Sequence, residues 1–319
     1  MKKYSVGIDL GGTKILAGVV DKAEGKVLFE VKNKTKKEKG NKKVTAKIIE
    51  TIEELFADSN ISKDEISSIG IGLAGQVERK EGVLINAVNL ECRDLHIKQI
   101  LEDKFSIPVN IGNDVEVATF GELKFGAGRG YKDIVCIFVG TGIGSSIVKD
   151  GKIHLGASQS AGEIGHIIVD LNGRACACGA NGCLEAYASR SAIESRILGA
   201  VKKGRRSIIT ELTEGKNNIS SKHIKKSLEA HDEVVTQFVN EATDYLSGGI
   251  ASVINFYNPE LIILGGGLIQ SVDEFYLATI KKARAKALPT PALSIEFKKA
   301  ALGDYSGVIG AALLEDRVL

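Results

Sequence analysis

The sequence predicts an α/β protein built from two related halves, and three observations carry that prediction. Short Ile-, Val- and Leu-rich strands alternate with helical periodicities; a strand–glycine turn–strand unit occurs twice; and the 36 glycines gather in compact motifs instead of a linker. A length of 319 residues suits two domains that each bury a core.

Tyr4 to Asp9 reads as an apolar strand broken at Gly11 and Gly12, and Ile15 to Val20 resumes it. After a turn at Asp21 to Gly25, Val27 to Val31 completes a meander. Lys32 to Lys43 holds seven lysines and one glutamate without aromatics, so it reads as a solvated loop and not a nucleic-acid patch. Val44, Ile48, Ile52, Leu55 and Phe56 fall at helical spacing. A strand at Ile66 to Leu73, a helix at Leu95 to Phe105 and a short strand at Pro108 to Ile111 lead to Asn113-Asp114. A helix is expected over Val115 to Phe125.

Ile134 to Asp150 then repeats Ser5 to Asp21 at a constant offset, matching Val6 to Val135, Gly11 to Gly140, Val19 to Val148 and Asp21 to Asp150. Duplicated α/β domains facing a cleft, each presenting one glycine hairpin, are the economical account. Helices follow near Ser191 to Lys203 and Ser220 to Asn255, and the strand Leu261 to Leu264 runs into Gly265-Gly266-Gly267. A strand near Ser294 to Phe297 and a helix from Gly307 to Leu314 close the chain. That last helix is expected to pack back on the first domain.

Composition excludes several function classes. The net charge of +2 offers no field to draw nucleic acid or a membrane surface. No signal-peptide pattern and no bilayer-length apolar run are visible, so a cytoplasmic protein is expected. Three of the five cysteines crowd into Cys176, Cys178 and Cys183, which argues for metal over a disulfide framework.

The chemistry sits in the glycine turns and around those cysteines. No Gly-x-x-x-x-Gly-Lys-Ser/Thr loop is present, and Gly126-Ala-Gly128-Arg-Gly130 precedes a strand, the wrong side for a dinucleotide fingerprint. In Asp9-Leu-Gly-Gly-Thr-Lys14, however, Gly11 and Gly12 bare backbone N–H groups to phosphate. Thr13 adds a hydroxyl, Lys14 a cation, and Asp9 a carboxylate able to hold Mg²⁺ through water. Gly140-Thr141-Gly142 supplies a second such corner. His166 with Cys176, Cys178 and Cys183 completes a Cys₃His shell for a structural Zn²⁺. Glu163 and Glu185 flank it, and each carboxylate can accept hydrogen bonds from two hydroxyls of a polyhydroxylated ligand.

Asp9-x-Gly-Gly-Thr13, Asn113-Asp114, Glu163-x-Gly-His166 and Cys176-x-Cys-Gly-x-x-Gly-Cys-x-Glu185, in this order, resemble the ROK family (repressor, open reading frame, kinase) over essentially the whole chain. The resemblance implies a duplicated actin/hexokinase-like (ribonuclease H-like) fold. A small domain would comprise 1–117 plus about 304–319, and a large one 118–303 would carry a zinc loop over 163–185. It implies an ATP-dependent hexose 6-kinase, glucose first, with N-acetylglucosamine, N-acetylmannosamine or fructose as alternative acceptors. Asp114 would be the catalytic base, with Gly75, Asn89, Asn113, Glu163, His166 and Glu185 around the sugar. His166 would serve zinc with one ring nitrogen and sugar with the other. Gly11 to Lys14, Thr141 and Gly142 would cradle phosphates, Gly265 to Gly267 would lie against adenosine, and members are commonly dimers or tetramers.

Two departures from the family pattern border the expected sugar pocket. Asn89-Leu-Glu-Cys92-Arg-Asp94 sits where many members have Asn-Leu-x-Gly-Trp, and Val115-Glu116 replaces a small residue and Asn. The family's sugar-sensing repressors carry a helix-turn-helix before the first hairpin, where three residues precede Tyr4 here, and an actin-like ATPase would need neither the two glutamates nor the cysteine knot.

Overall fold

A computed structural model describes residues 2–12, 14–35 and 39–316. The chain forms two units, Met1–Gly130 with Ala301–Leu319, and Tyr131–Ala300.

The first unit opens with the antiparallel strands β1 (Tyr4–Leu10), β2 (Lys14–Asp21) and β3 (Lys26–Lys34), then helix α1 (Asn41–Asp58) and β4 (Ile66–Leu73). A small sheet of β5 (Gln76–Glu78), β6 (Val83–Ala87) and β7 (Cys92–Leu95) follows, then α2 (Ile97–Phe105), β8 (Val109–Asn113) and α3 (Asp114–Phe125). The main sheet runs β3-β2-β1-β4-β8, with β4 parallel to β1 and β8 parallel to β4. Central β1 and β4 are buried along most of their length because both faces are covered, and the buried Ser5 hydroxyl pairs with those of Ser67 and Ser68. Val44, Ile48, Ile52 and Leu55 of α1 and Ile97, Leu101 and Phe105 of α2 complete this core. Cys92 is buried within it.

The lysine-rich stretch differs from its expected loop at both ends. Lys32 and Lys34 are exposed positions of β3, whose alternate residues Val27, Phe29 and Val31 turn inward, and α1 already begins at Asn41. Charges facing solvent on an edge strand block pairing with another sheet edge, so lysine suits it.

The second unit repeats the plan. Strands β9 (Ile134–Val139), β10 (Ile143–Lys149) and β11 (Lys152–His154) lead to α4 (Glu185–Ala188), α5 (Arg190–Lys202), α6 (Ile209–Leu212), α7 (Ser221–Glu229) and α8 (Glu233–Tyr257). Then come β12 (Leu261–Gly265), α9 (Gly267–Ser271), α10 (Asp273–Lys286), α11 (Pro289–Ser294) and β13 (Glu296–Lys299). The sheet order is β11-β10-β9-β12-β13. The helix expected over Ser220 to Asn255 is two helices. His231 takes the left-handed conformation between them, and Asp232 caps α8 by accepting from the Val235 N–H at 2.9 Å.

Pairing corrects the constant offset read between the repeats. In the first hairpin Val6 lies opposite Val19, but in the second Val135 lies opposite Ile147, not Val148. The second corner is one residue shorter: the Gly11 N–H bonds the Lys14 carbonyl, while the Gly140 N–H bonds that of Gly142.

The last helix, α12 (Ser306–Ala312), returns to the first unit as expected, against β1, β4 and α3. It packs backbone on backbone. A Cβ at Gly7 would fall 1.9 Å from the Val308 carbonyl oxygen, and one at Gly70 would fall 1.8 Å from that of Ala311. The same packing against α12 keeps all of α3, through Phe125, in the first unit. No helix among the described residues is long and apolar enough to cross a membrane.

Candidate active site

In the first unit the sequence-predicted residues gather at the carboxyl ends of three adjacent parallel strands, where α/β sheets bind ligands. Asp9 is the penultimate residue of β1, opposite Gly72 of β4, and Asn113 ends β8 opposite Leu73. Asn113 caps α3: its Oδ1 accepts the N–H groups of Val115 at 2.9 Å and Glu116 at 3.3 Å, while its Nδ2 donates to the Gly75 carbonyl at 3.2 Å. These bonds fix the start of α3 and hence the neighbouring Asp114, whose own Oδ1 accepts from the Val115 N–H at 3.0 Å. Asn89 lies beside the first corner, its Cβ 3.3 Å from where a Cβ on Gly12 would be. Thr13 lies outside the described residues.

The electrostatics of this cluster are unusual. Burial, then the charge of Asp9, pushes the Asp114 carboxyl up to about 7, against the pull of the Val115 N–H. Burial raises Asp9 to about 6, partly offset by the Lys14 ammonium. Lys14 Nζ meets Asp304 Oδ2 at 3.0 Å. Glu116, one of the departures, is paired: Arg79 Nη2 lies 2.6 Å from both its oxygens, and both side chains are buried. That pair ties β5 to α3. Nothing in the spacing of Arg79 and Glu116 announced it.

In the second unit the expected residues gather around the start of β10. Glu185 Oε2 accepts the Ile143 N–H at 2.8 Å, and a Cβ at Gly142 would fall 2.3 Å from that oxygen. One carboxylate oxygen of Glu185 is thus committed to the corner. The turn Glu163–His166 packs on the same strand: Ser145 Oγ accepts the Ile164 N–H at 3.1 Å, and a Cβ at Gly165 would fall 2.2 Å from the Ile143 carbonyl oxygen. A side chain at 165 would therefore push Glu163 and His166 off the sheet.

Gly265 to Gly267 lie beside this corner. Gly266 has φ +87, and a Cβ there would fall 2.5 Å from the carbonyl oxygen of Val139, the residue before Gly140. Arg190, which no motif singled out, braces the corner: its N–H donates to the Gly140 carbonyl at 2.9 Å and its Nη2 to Thr141 Oγ1 at 3.1 Å.

His166, Cys176, Cys178 and Cys183 each offer a ligand atom within 4.8 Å of the others. His166 Nδ1 lies 3.7 Å from Cys176 Sγ, and Cys178 Sγ lies 3.6 Å from Cys183 Sγ. Tetrahedral zinc with sulfur at about 2.3 Å sets its ligand atoms roughly 3.8 Å apart, so the donor set and spacing fit. The knot is stiffened by main-chain bonds, Cys176 N–H to Ala180 at 2.8 Å and Gly182 N–H to Arg174 at 2.7 Å. Tyr187 holds its flank, donating to Asp170 Oδ2 at 2.9 Å and accepting the Arg174 N–H at 2.8 Å.

The ROK family model matches residues 5–318. A glucokinase of Halalkalibacterium halodurans is 33% identical over 98% of this chain and 94% of its own length. The structure of a ROK family glucokinase from Streptomyces griseus in complex with glucose and AMPPNP superposes with a TM-score of 0.86 at 30% identity, covering 98% of both chains. A xylose repressor of Bacillus spizizenii is 26% identical over 96% of this chain and 75% of its own length. The fold is the hexokinase-like α/β class expected from the sequence, and the chain belongs to the ROK family.

Proposed function

We propose that this chain transfers the γ-phosphoryl group of ATP to the 6-hydroxyl of a hexose, with glucose the leading acceptor. One observation carries the chemistry: a buried carboxyl, Asp114, held at a helix start with its proton affinity pushed to about 7. A group with that affinity can take a hydroxyl proton near neutral pH and hold it. The glucokinase relatives at about a third identity over nearly the full chain support the acceptor.

Asn113 and Asp114 address the reacting hydroxyl, Glu163 and Glu185 accept from the remaining ring hydroxyls, and the His166 Nε2–H donates to one of them. Phosphoryl transfer passes through a loose transition state, so placing donor and acceptor in line supplies most of the acceleration. Gly12 offers an N–H and Lys14 a cation to the phosphates, Thr13 and Thr141 offer hydroxyls, and Gly11, whose own N–H closes the turn on the Lys14 carbonyl, and Gly142 let the backbone approach. Gly265 to Gly267 suit the adenosine. Mg²⁺ held through water by Asp9 would neutralise phosphate charge. Zn²⁺ on His166 and the three thiolates would lock the loop that bears Glu163 and Glu185, leaving His166 Nε2 for a sugar hydroxyl. The protein would work in the cytoplasm as a dimer or tetramer.

The test is ADP release with glucose, mannose, fructose, N-acetylglucosamine and N-acetylmannosamine as acceptors. Highest kcat/KM on glucose is expected; turnover on none of them refutes the kinase reading. A His166→Ala variant that keeps full zinc and full glucose affinity refutes the dual role of that ring.

A further inference from the structure

Glu122 is fully buried in α3, and the transfer chemistry has no use for it. Its Oε2 accepts the N–H groups of Ala127 at 2.9 Å and Ala301 at 3.0 Å. Its Oε1 accepts the Leu302 N–H at 2.9 Å and the Ser306 hydroxyl at 2.8 Å. Burying a carboxylate is costly unless its lone pairs are filled, and here four neutral donors fill them. Three of the four belong to one segment, 301–306, the chain's return to the first unit.

That segment and the residue after it reach the first glycine corner. Asp304 Oδ2 lies 3.0 Å from Lys14 Nζ and 3.7 Å from Lys32 Nζ. A Cβ on Gly307 would fall 2.8 Å from Asp9 Cγ, so the main chain there abuts the aspartate. The two charged side chains of the corner, Asp9 and Lys14, thus each touch a stretch whose path Glu122 sets.

We infer that Glu122 is a positioning residue for nucleotide binding: by gripping Ala301, Leu302 and Ser306 it places Asp304 against Lys14 and the Gly307 backbone against Asp9. This rests on the reading of that corner as the phosphate grip. Charge alone would not do this work, because both oxygens must accept. In Glu122→Gln an amide NH₂ faces two donors, and one side of the grip opens.

The test compares wild type, Glu122→Gln and Ser306→Ala by steady-state kinetics with ATP and glucose each varied. Glu122→Gln is expected to raise the KM for ATP about tenfold or more while that for glucose stays within about twofold. Ser306→Ala, which removes one donor, is expected to raise the ATP KM roughly two- to fivefold. A purely structural role would lower kcat with the folded fraction and leave both KM values alone, and that result overturns the inference. If Glu122→Gln does not fold, Ser306→Ala decides, and an unchanged ATP KM overturns it. If wild type phosphorylates no hexose, the kinase reading fails separately, and ATP titration of the same proteins by calorimetry decides this one. An equal ATP Kd in wild type and variants then refutes it.

Discussion

Asp114→Asn should cost the protein its activity and make it more stable. Burial and the Asp9 charge raise this carboxyl from 3.8 to about 7. The native state therefore keeps a proton that the unfolded chain releases near 3.8, so the wild type loses stability as pH climbs between those values. Roughly three pKa units at 1.36 kcal/mol each make a ceiling of about 4 kcal/mol above about pH 7. For a unit of this size that is at most roughly 8–16 °C in Tm. Asparagine cannot ionise, and its side-chain oxygen can still accept the Val115 N–H, so the variant avoids the penalty. Calorimetric scans should show the two proteins alike near about pH 3.5 and the variant more stable near about pH 8.5, with a kcat about 10²–10⁴-fold lower at the higher pH. Wild-type kcat should fall on the acid side of about pH 7 as Asp114 takes up its proton. A variant less stable than wild type at high pH would mean that this carboxyl is not strained by burial, and one within about tenfold of its turnover there would mean that it is not the base.

Elemental analysis should find about one zinc per chain, and Cys183→Ala, which removes a fully buried ligand atom, should lose the metal and raise the glucose KM; full metal content in that variant refutes the site. Arg190→Ala frees Thr141 Oγ1 and the carbonyl of Ile219, and should raise the KM for ATP about fivefold with little change for glucose; unaltered kinetics would remove Arg190 from the corner. Arg79→Met strands a buried Glu116 and should cost about 3–5 kcal/mol in urea denaturation, while Arg79→Met with Glu116→Leu should recover most of it. Equal losses in the single and double variants would show that the ion pair is not what the site depends on.

The hairpins, the glycine corners and the clustering of His166 with three cysteines are legible because local sequence encodes them. Gly11-Gly12 has few uses outside a turn, and Cys176, Cys178 and Cys183 carry their own geometry in their spacing. The lysine run misled at Lys32 and Lys34, because an exposed edge strand and a loop select the same side chains. The break at His231 was hidden by apolar spacing that continues on both sides of it. Arg79 with Glu116, Arg190 with Thr141, and Glu122 with Ala301 and Ser306 join residues far apart in the chain, and no periodicity reports such pairs. Glu122 in particular reads on paper as one more helical glutamate.

The shortened tip of the second hairpin bears on how this architecture can be altered. A single-residue insertion or deletion within a strand turns every later side chain to the opposite face, whereas at a reversal of the chain both arms keep their pleat. If the halves descend from one ancestor, the tip between Val139 and Ile143 is where a change of length escapes that inversion. A graft of the Asp9–Lys14 tip onto β9 and β10 should accordingly tolerate its extra residue and leave Ser146 and Val148 in their buried places.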